Sequence, residues 1–153
     1  MAGIGKPFPD FDLAATGGGR RRLSDLAGRP VVVYFYPKDS TPGCTQESRD
    51  FRDLSVEFER HGAAIVGISR DAIRSHERFK EAECLPFELL SDADEALCRE
   101  LHVLKEKNLY GKKVMGIERS TFLIDARGVL RREWRKVKVD GHAAEVLEAV
   151  QRL

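Results

Sequence analysis

An α/β fold, with a central mixed β-sheet, helices on both faces and an N-terminal β-hairpin, is what this chain of 153 residues predicts. Three observations carry that prediction. Val31-Val32-Val33-Tyr34-Phe35-Tyr36 is a continuous β-branched and aromatic run, apolar on both faces, as a central strand covered on both sides requires. From about Gly43 to Arg60, Phe51, Leu54 and Phe58 recur at helical spacing while Glu47, Arg49, Asp50, Arg52, Asp53 and Glu57 take the other faces. Ala63-Ala64-Ile65-Val66-Gly67-Ile68-Ser69 then reads as a second buried strand. The order strand, helix, strand implies a parallel pair joined by a right-handed crossover.

The remaining elements follow in chain order. Pro9 to Leu13 alternates apolar and polar residues and, with prolines at 7 and 9, reads as an extended arm or edge strand. Gly17-Gly18-Gly19 is a turn, and Arg20-Arg21-Arg22 opens a short second strand on a solvated hairpin, a better reading of three arginines than a phosphate contact. Ser24 to Pro30 is a turn. Pro37 ends the first central strand because it has no N–H for the ladder, and Gly62 stops the long helix. Asp71 opens a charged helix that runs to about Glu83, before Pro86. Phe87 to Leu90 is a short strand. Asp92, with Glu95 three residues on, looks like the cap of a helix whose apolar stripe is Leu97, Leu101 and Leu104. Lys105 to Gly116 is polar, lysine-rich and predicted to be a long loop. Ser120–Asp125 and Val129–Trp134 form a hairpin across Ala126-Arg127-Gly128. Asp140 is expected to cap a last helix with Ala143, Leu147 and Val150 along one face.

Composition bounds the function. With 42% hydrophobic and 33% charged residues the chain is expected to form a single domain over residues 1–153. Lys and Arg total 26 against 25 Asp and Glu, so there is no bulk charge to attract nucleic acid. No apolar run is long enough to span a bilayer, and Met1-Ala2-Gly3-Ile4-Gly5-Lys6 lacks the features of a signal peptide; neither a membrane nor nucleic acid is an expected partner. Three cysteines without a disulfide framework point to a reducing, cytoplasmic setting in which a thiol is catalytic, metal-bound or core.

Cys44 is the thiol to examine. It lies between the first central strand and the long helix, where free helix N–H groups favour a thiolate. The surrounding Phe35-Tyr36-Pro37-Lys38-Asp39-Ser40-Thr41-Pro42-Gly43-Cys44-Thr45-Gln46-Glu47 resembles the active-site signature of peroxiredoxins, in particular the bacterioferritin comigratory protein, or Q-type, subfamily. Gly116-Ile117-Glu118-Arg119-Ser120-Thr121-Phe122-Leu123-Ile124-Asp125 is similar to that subfamily's second signature. The resemblance covers nearly the whole chain and implies a thioredoxin-like fold. It also implies reduction of hydrogen peroxide and organic hydroperoxides through a cysteine sulfenic acid. An external thiol reductant such as thioredoxin would recycle the enzyme, in antioxidant defence and redox homeostasis, with no metal or organic cofactor. It assigns Cys44 as the peroxidatic residue, with Thr41, Arg119 and Pro37 completing the constellation.

Physical chemistry gives each a task. A guanidinium from Arg119 supplies permanent charge and donors for sulfur and peroxide oxygen. The Thr41 hydroxyl, three residues before Cys44, is expected beside the sulfur, and backbone N–H groups near Gly43 and Cys44 face the charge that grows on the peroxide. Pro37 and Pro42 stiffen the loop and offer no donor to water. Glu47, one turn into the helix, is expected to hold the arginine or the loop.

The sulfenic acid must then meet a second thiol. Many Q-type members carry it five residues after the first, where this chain has Arg49. Cys84, near where some members place a resolving cysteine, reads equally as resolving or structural. Cys98, beside the stripe of its helix, reads more readily as core. Direct reduction by an external thiol is the third route. Among rival functions, a disulfide oxidoreductase lacks its Cys-x-x-Cys, a redox sensor lacks an interaction segment, and a metal site is poorly supported because His61, His76, His102 and His142 are scattered. A small chain with few exposed apolar stretches is compatible with a monomer.

Overall fold

The computed structural model describes residues 3–153. Met1 and Ala2, which open the expected domain and the segment without signal-peptide features, lie outside the described residues. Nine strands are formed among them: β1 (Asp12–Ala15), β2 (Arg20–Arg22), β3 (Val31–Phe35), β4 (Ala64–Ser69), β5 (Glu88–Ser91), β6 (Leu104–Leu109), β7 (Lys112–Ile117), β8 (Ser120–Ile124) and β9 (Leu130–Trp134). Five α-helices accompany them: α1 (Pro42–Asp53), α2 (Ser55–Arg60), α3 (Ile73–Glu83), α4 (Ala96–Glu100) and α5 (His142–Gln151). No helix is long and apolar enough to cross a membrane among the described residues.

Seven strands make one mixed sheet in the order β2-β1-β5-β4-β3-β8-β9. β3 pairs parallel with β4, and β4 with β5, while β8 runs antiparallel on the other side of β3. β3 is thus central, and its residues are no more than 2% exposed. Its pleat divides the core. Val32 and Tyr34, with Tyr36, pack against Phe51 of α1, Phe58 of α2, Phe79 of α3 and Val146, Leu147 and Val150 of α5. Val31, Val33 and Phe35 face the N-terminal Phe8 and Phe11, Phe122 of β8, Leu97 of α4 and Leu101 just after it. Each such side chain contributes about 1.5–3 kcal/mol by leaving water. Gly67, opposite Tyr34 on β4, makes room for that ring: a Cβ there would lie 2.8 Å from both Tyr34 and Leu89.

Several expectations are revised. Lys105–Gly116 is not a loop: β6 and β7 form a separate two-stranded ribbon, turned through Tyr110 and Gly111, which both take positive φ (52° and 78°). Its residues are exposed on both faces for most of its length, so it lacks the one-sided alternation that marks a strand. Leu104 belongs to β6, because α4 ends at Glu100 and the chain turns at His102 (φ 56°). Ser24 to Leu26 lies in a short 3-10 helix beginning at Leu23. The helix expected from Gly43 to Arg60 is broken at Leu54, whose φ of −101° and ψ of 4° leave helical geometry.

Caps also differ. Gly141 rather than Asp140 precedes α5, in the left-handed region. Asp92 does serve α4, accepting from the backbone N–H groups of Leu97 and Cys98 at 3.2 and 2.7 Å. Asp71 does not start α3, which begins at Ile73; its carboxylate instead accepts the backbone N–H of Asp39 at 2.9 Å. The three arginines of β2 are all paired, Arg20 and Arg22 with Asp12 and Arg21 with Glu88.

Candidate active site

The parallel β3 delivers the chain through Tyr36 and Pro37 to a loop, and Thr41 occupies the cap position of α1. Pro42, fixed near helical φ, sits in the first turn, where its missing N–H costs nothing. Cys44 follows in that turn, 1% exposed, so its sulfur lies in the positive potential of the helix start and out of bulk water. The Thr41 hydroxyl donates to the Lys38 carbonyl at 2.8 Å, which closes the loop on itself.

Arg119 arrives from the segment between β7 and β8, two residues after the ribbon ends. Its Nη2 donates to Cys44 Sγ at 3.3 Å, and its Nη1 donates to Glu47 Oε1 at 2.7 Å. The guanidinium is therefore clamped between a sulfur and a carboxylate one helical turn apart. Gly43 permits this approach, since a Cβ there would sit 3.2 Å from Nη2. Glu47 is 1% exposed; burial pushes its carboxyl up to about 7 against the opposing pull of Arg119. Its Oε2 has no partner among the described residues. Behind the arginine, His142 accepts from or donates to the Thr121 hydroxyl at 2.8 Å, and burial, helped by the Arg119 charge, brings its imidazole down to about 4.

Cys44, Arg119 and Glu47 are thus brought together, with Thr41 and the half-buried Pro37 in the adjoining loop. The other two thiols are apart. Cys98 is fully buried in the cluster on the opposite face of the sheet from Cys44, and burial with the Asp92 carboxylate raises its thiol far above the ordinary range. Cys84 is exposed and ends α3 in the left-handed region (φ 52°). Its neighbour Glu83 ties that end to α1, accepting from Arg49 Nε at 2.5 Å and from Arg52 Nη1 at 2.9 Å.

A buried polar cluster beside the site was not foreseen. Asp39, Asp71 and His76 bring three ligand-type atoms within 4.8 Å of one another. Both Asp39 oxygens are already occupied, by Tyr36, Ser75 and His76, and Asp71 Oδ2 accepts from Ser69 and the Asp39 N–H. The signal was present in the sequence, because His76 stands three residues from both Ile73 and Phe79, a polar residue on the inward stripe of α3.

A thiol at a helix start, gripped by an arginine from the start of the neighbouring strand β8, is an arrangement shared with known proteins. The AhpC/TSA family model matches residues 4–133, and the chain belongs to that family. It is similar to Peroxiredoxin Bcp of Xanthomonas campestris, 54% identical over 142 residues covering 93% of this chain and 89% of that one. Peroxiredoxin Bcp of Bacillus subtilis is 49% identical over 148 residues, covering 97% and 94%. Among solved structures, Peroxiredoxin Q of Xanthomonas campestris superposes with a TM-score of 0.89 at 53% identity, covering 94% of this chain and 90% of that one. A cysteine-to-serine mutant of PrxQ from Xylella fastidiosa gives 0.93 at 40% identity, covering 99% and 97%. Within the family these relatives set the chain in the Bcp, or Q-type, branch of the peroxiredoxins, with their thioredoxin-like fold and thiol-dependent peroxidase activity.

Proposed function

We propose that the chain, as a single domain over residues 1–153, reduces hydrogen peroxide and organic hydroperoxides at Cys44. The observation that carries this is the Arg119 guanidinium donating to Cys44 Sγ at 3.3 Å in the first turn of α1. The Cys44 thiolate attacks the nearer peroxide oxygen; the O–O bond breaks, sulfur gains OH, and the departing alkoxide takes a proton to leave as alcohol or water. Arg119 stabilises both the thiolate and the charge growing on the peroxide, and the first-turn N–H groups share that task. The Thr41 hydroxyl, whose hydrogen is committed to Lys38, accepts a hydrogen bond from the peroxide. Pro37 shields the pocket. A solved structure of the Xanthomonas campestris bacterioferritin comigratory protein, 52% identical to this chain, concerns alkyl peroxide reduction by that protein, which supports the organic substrates.

Recycling uses an external dithiol such as thioredoxin. Cys84 is the better resolving partner, because Cys98 lies behind the sheet while Cys84 adjoins the residue that Arg49 and Arg52 hold to α1. Its thiolate attacks the sulfenic sulfur, the S–OH bond breaks and the departing hydroxide takes a proton to leave as water; the dithiol reductant then reduces the disulfide by thiol–disulfide exchange. Cys44 must leave its buried position for this, so the first turn of α1 unwinds. The reaction needs no metal or organic cofactor, nucleic acid or membrane, and we place it in the cytoplasm, in a monomer, as antioxidant defence and redox homeostasis. Trapping with a sulfenic-acid reagent in Cys84→Ser, where no disulfide with residue 84 can form, after one equivalent of peroxide tests the site: the adduct is expected on Cys44, and an adduct confined to Cys98 overturns the assignment.

A further inference from the structure

The loop between β3 and α1 carries a cost that the catalytic residues do not explain. Ser40 adopts φ 62°, the left-handed region, which is strained for a residue with a Cβ. Something must hold the loop in that shape. Its neighbour Asp39 is 5% exposed, and both of its carboxylate oxygens are taken: Oδ1 by the Tyr36 hydroxyl at 2.6 Å, Oδ2 by the Ser75 hydroxyl at 2.7 Å and His76 Nδ1 at 2.8 Å. The Asp39 backbone N–H is anchored separately on Asp71 Oδ2 at 2.9 Å.

His76 is fully buried, and both of its ring nitrogens face oxygens. Nε2 lies 2.9 Å from the Leu90 carbonyl, which only accepts, so Nε2 carries a proton. Nδ1 faces the Asp39 carboxylate. The imidazole and the Asp39 carboxylate thus meet in a buried hydrogen bond, whose removal strands buried polar groups.

We propose that Asp39 and His76 form a positioning latch that holds the loop and first turn of α1 in the shape the reduced enzyme uses, and ties them to α3. Both residues act through others. Asp39 fixes the peptide that follows Lys38, whose carbonyl receives the Thr41 hydroxyl; Thr41 in turn begins α1, and its carbonyl accepts the Thr45 N–H at 2.8 Å. Ser75 and His76 lie in the first turn of α3, whose far end reaches Cys84. Weakening the latch therefore has opposite effects on two properties: attack on peroxide slows, and the first turn opens more readily. The first effect rests on Cys44 being the attacking residue; the second does not.

The experiment measures both in Asp39→Ala, Asp39→Asn, His76→Phe and Ser75→Ala. Amide hydrogen exchange of the reduced protein is expected to speed up about ten-fold or more at residues 43–48 in Asp39→Ala and His76→Phe, with β3 and β8 unchanged. The single-turnover rate of Cys44 oxidation is expected to fall by about the same factor. Asp39→Asn, which keeps the shape but loses the charge, and Ser75→Ala, which removes one donor, are expected to move both in the same directions by less. These two decide the matter if the others do not fold. Unchanged exchange at residues 43–48, or exchange that rises equally across the sheet, overturns the latch. Faster exchange with no oxidation of Cys44 even in the unmodified protein leaves the latch standing and removes the Cys44 assignment instead.

Discussion

Arg119 Nη2 donates to Cys44 Sγ at 3.3 Å although 75 residues separate them in sequence. The other terminal nitrogen of the same group is spent on Glu47, so the guanidinium cannot swing away from the sulfur without breaking a buried ion pair. Arg119→Ala is expected to lower the second-order rate with peroxide by about a hundred- to a thousand-fold, the loss typical of one preorganised donor. Arg119→Lys restores the charge but not the two-pronged grip and recovers only part of it. Stopped-flow peroxide consumption gives both numbers.

Gly43→Ala tests the approach of that group. The added Cβ would lie 3.2 Å from Nη2, so the guanidinium must shift by a few tenths of an ångström. Alanine suits a first helical turn better than glycine, so stability is expected to hold or rise by up to about 1 kcal/mol. The peroxide rate is expected to drop nonetheless. An unchanged rate with unchanged stability would show that the arginine's position is not critical.

The strands and the nucleophile were readable because their signals are local. A run apolar on both faces identifies β3, and the residues around Cys44 are contiguous. The inward stripe of α3 marks His76, but not its partner Asp39, since their pairing depends on β4 and α3 bringing residue 76 beside residue 39. The β6–β7 ribbon was missed for the reverse reason: a strand solvated on both faces carries no periodic mark. Cys98 read as core from its helical stripe, and it is core; what the stripe did not tell is that the sheet divides it from Cys44.

Stability against pH has two opposed contributors. Glu47 has its carboxyl raised to about 7 from 4.5, so the unfolded chain gives up that proton first and stability is lost as pH rises between those values. His142 is lowered to about 4 from 6.5, so the unfolded chain takes up that proton first and stability is lost as pH falls between those values. Each slope is at most about 1.4 kcal/mol per pH unit, and they cancel in the shared window. Glu47→Gln removes one of them. Denaturant midpoints of the variant, relative to the unmodified protein, are expected to climb from pH 5 to pH 7; a constant difference would contradict the reading.

Thiol accessibility separates the two spare cysteines. Brief alkylation of the native, reduced protein is expected to label the exposed Cys84 and spare Cys98. After one equivalent of peroxide, Cys84 labelling is expected to vanish as a disulfide with Cys44 forms, and Cys98→Ser is expected to leave this unchanged. Cys84 that stays fully alkylatable after oxidation would point to direct reduction by an external thiol.

The central claim meets its most direct test in peroxide consumption by pre-reduced protein carrying Cys44→Ser, followed beside the unmodified chain with hydrogen peroxide and an organic hydroperoxide. Fast, stoichiometric loss of both peroxides that disappears in Cys44→Ser is the predicted result. Consumption by Cys44→Ser at the original rate would contradict the account.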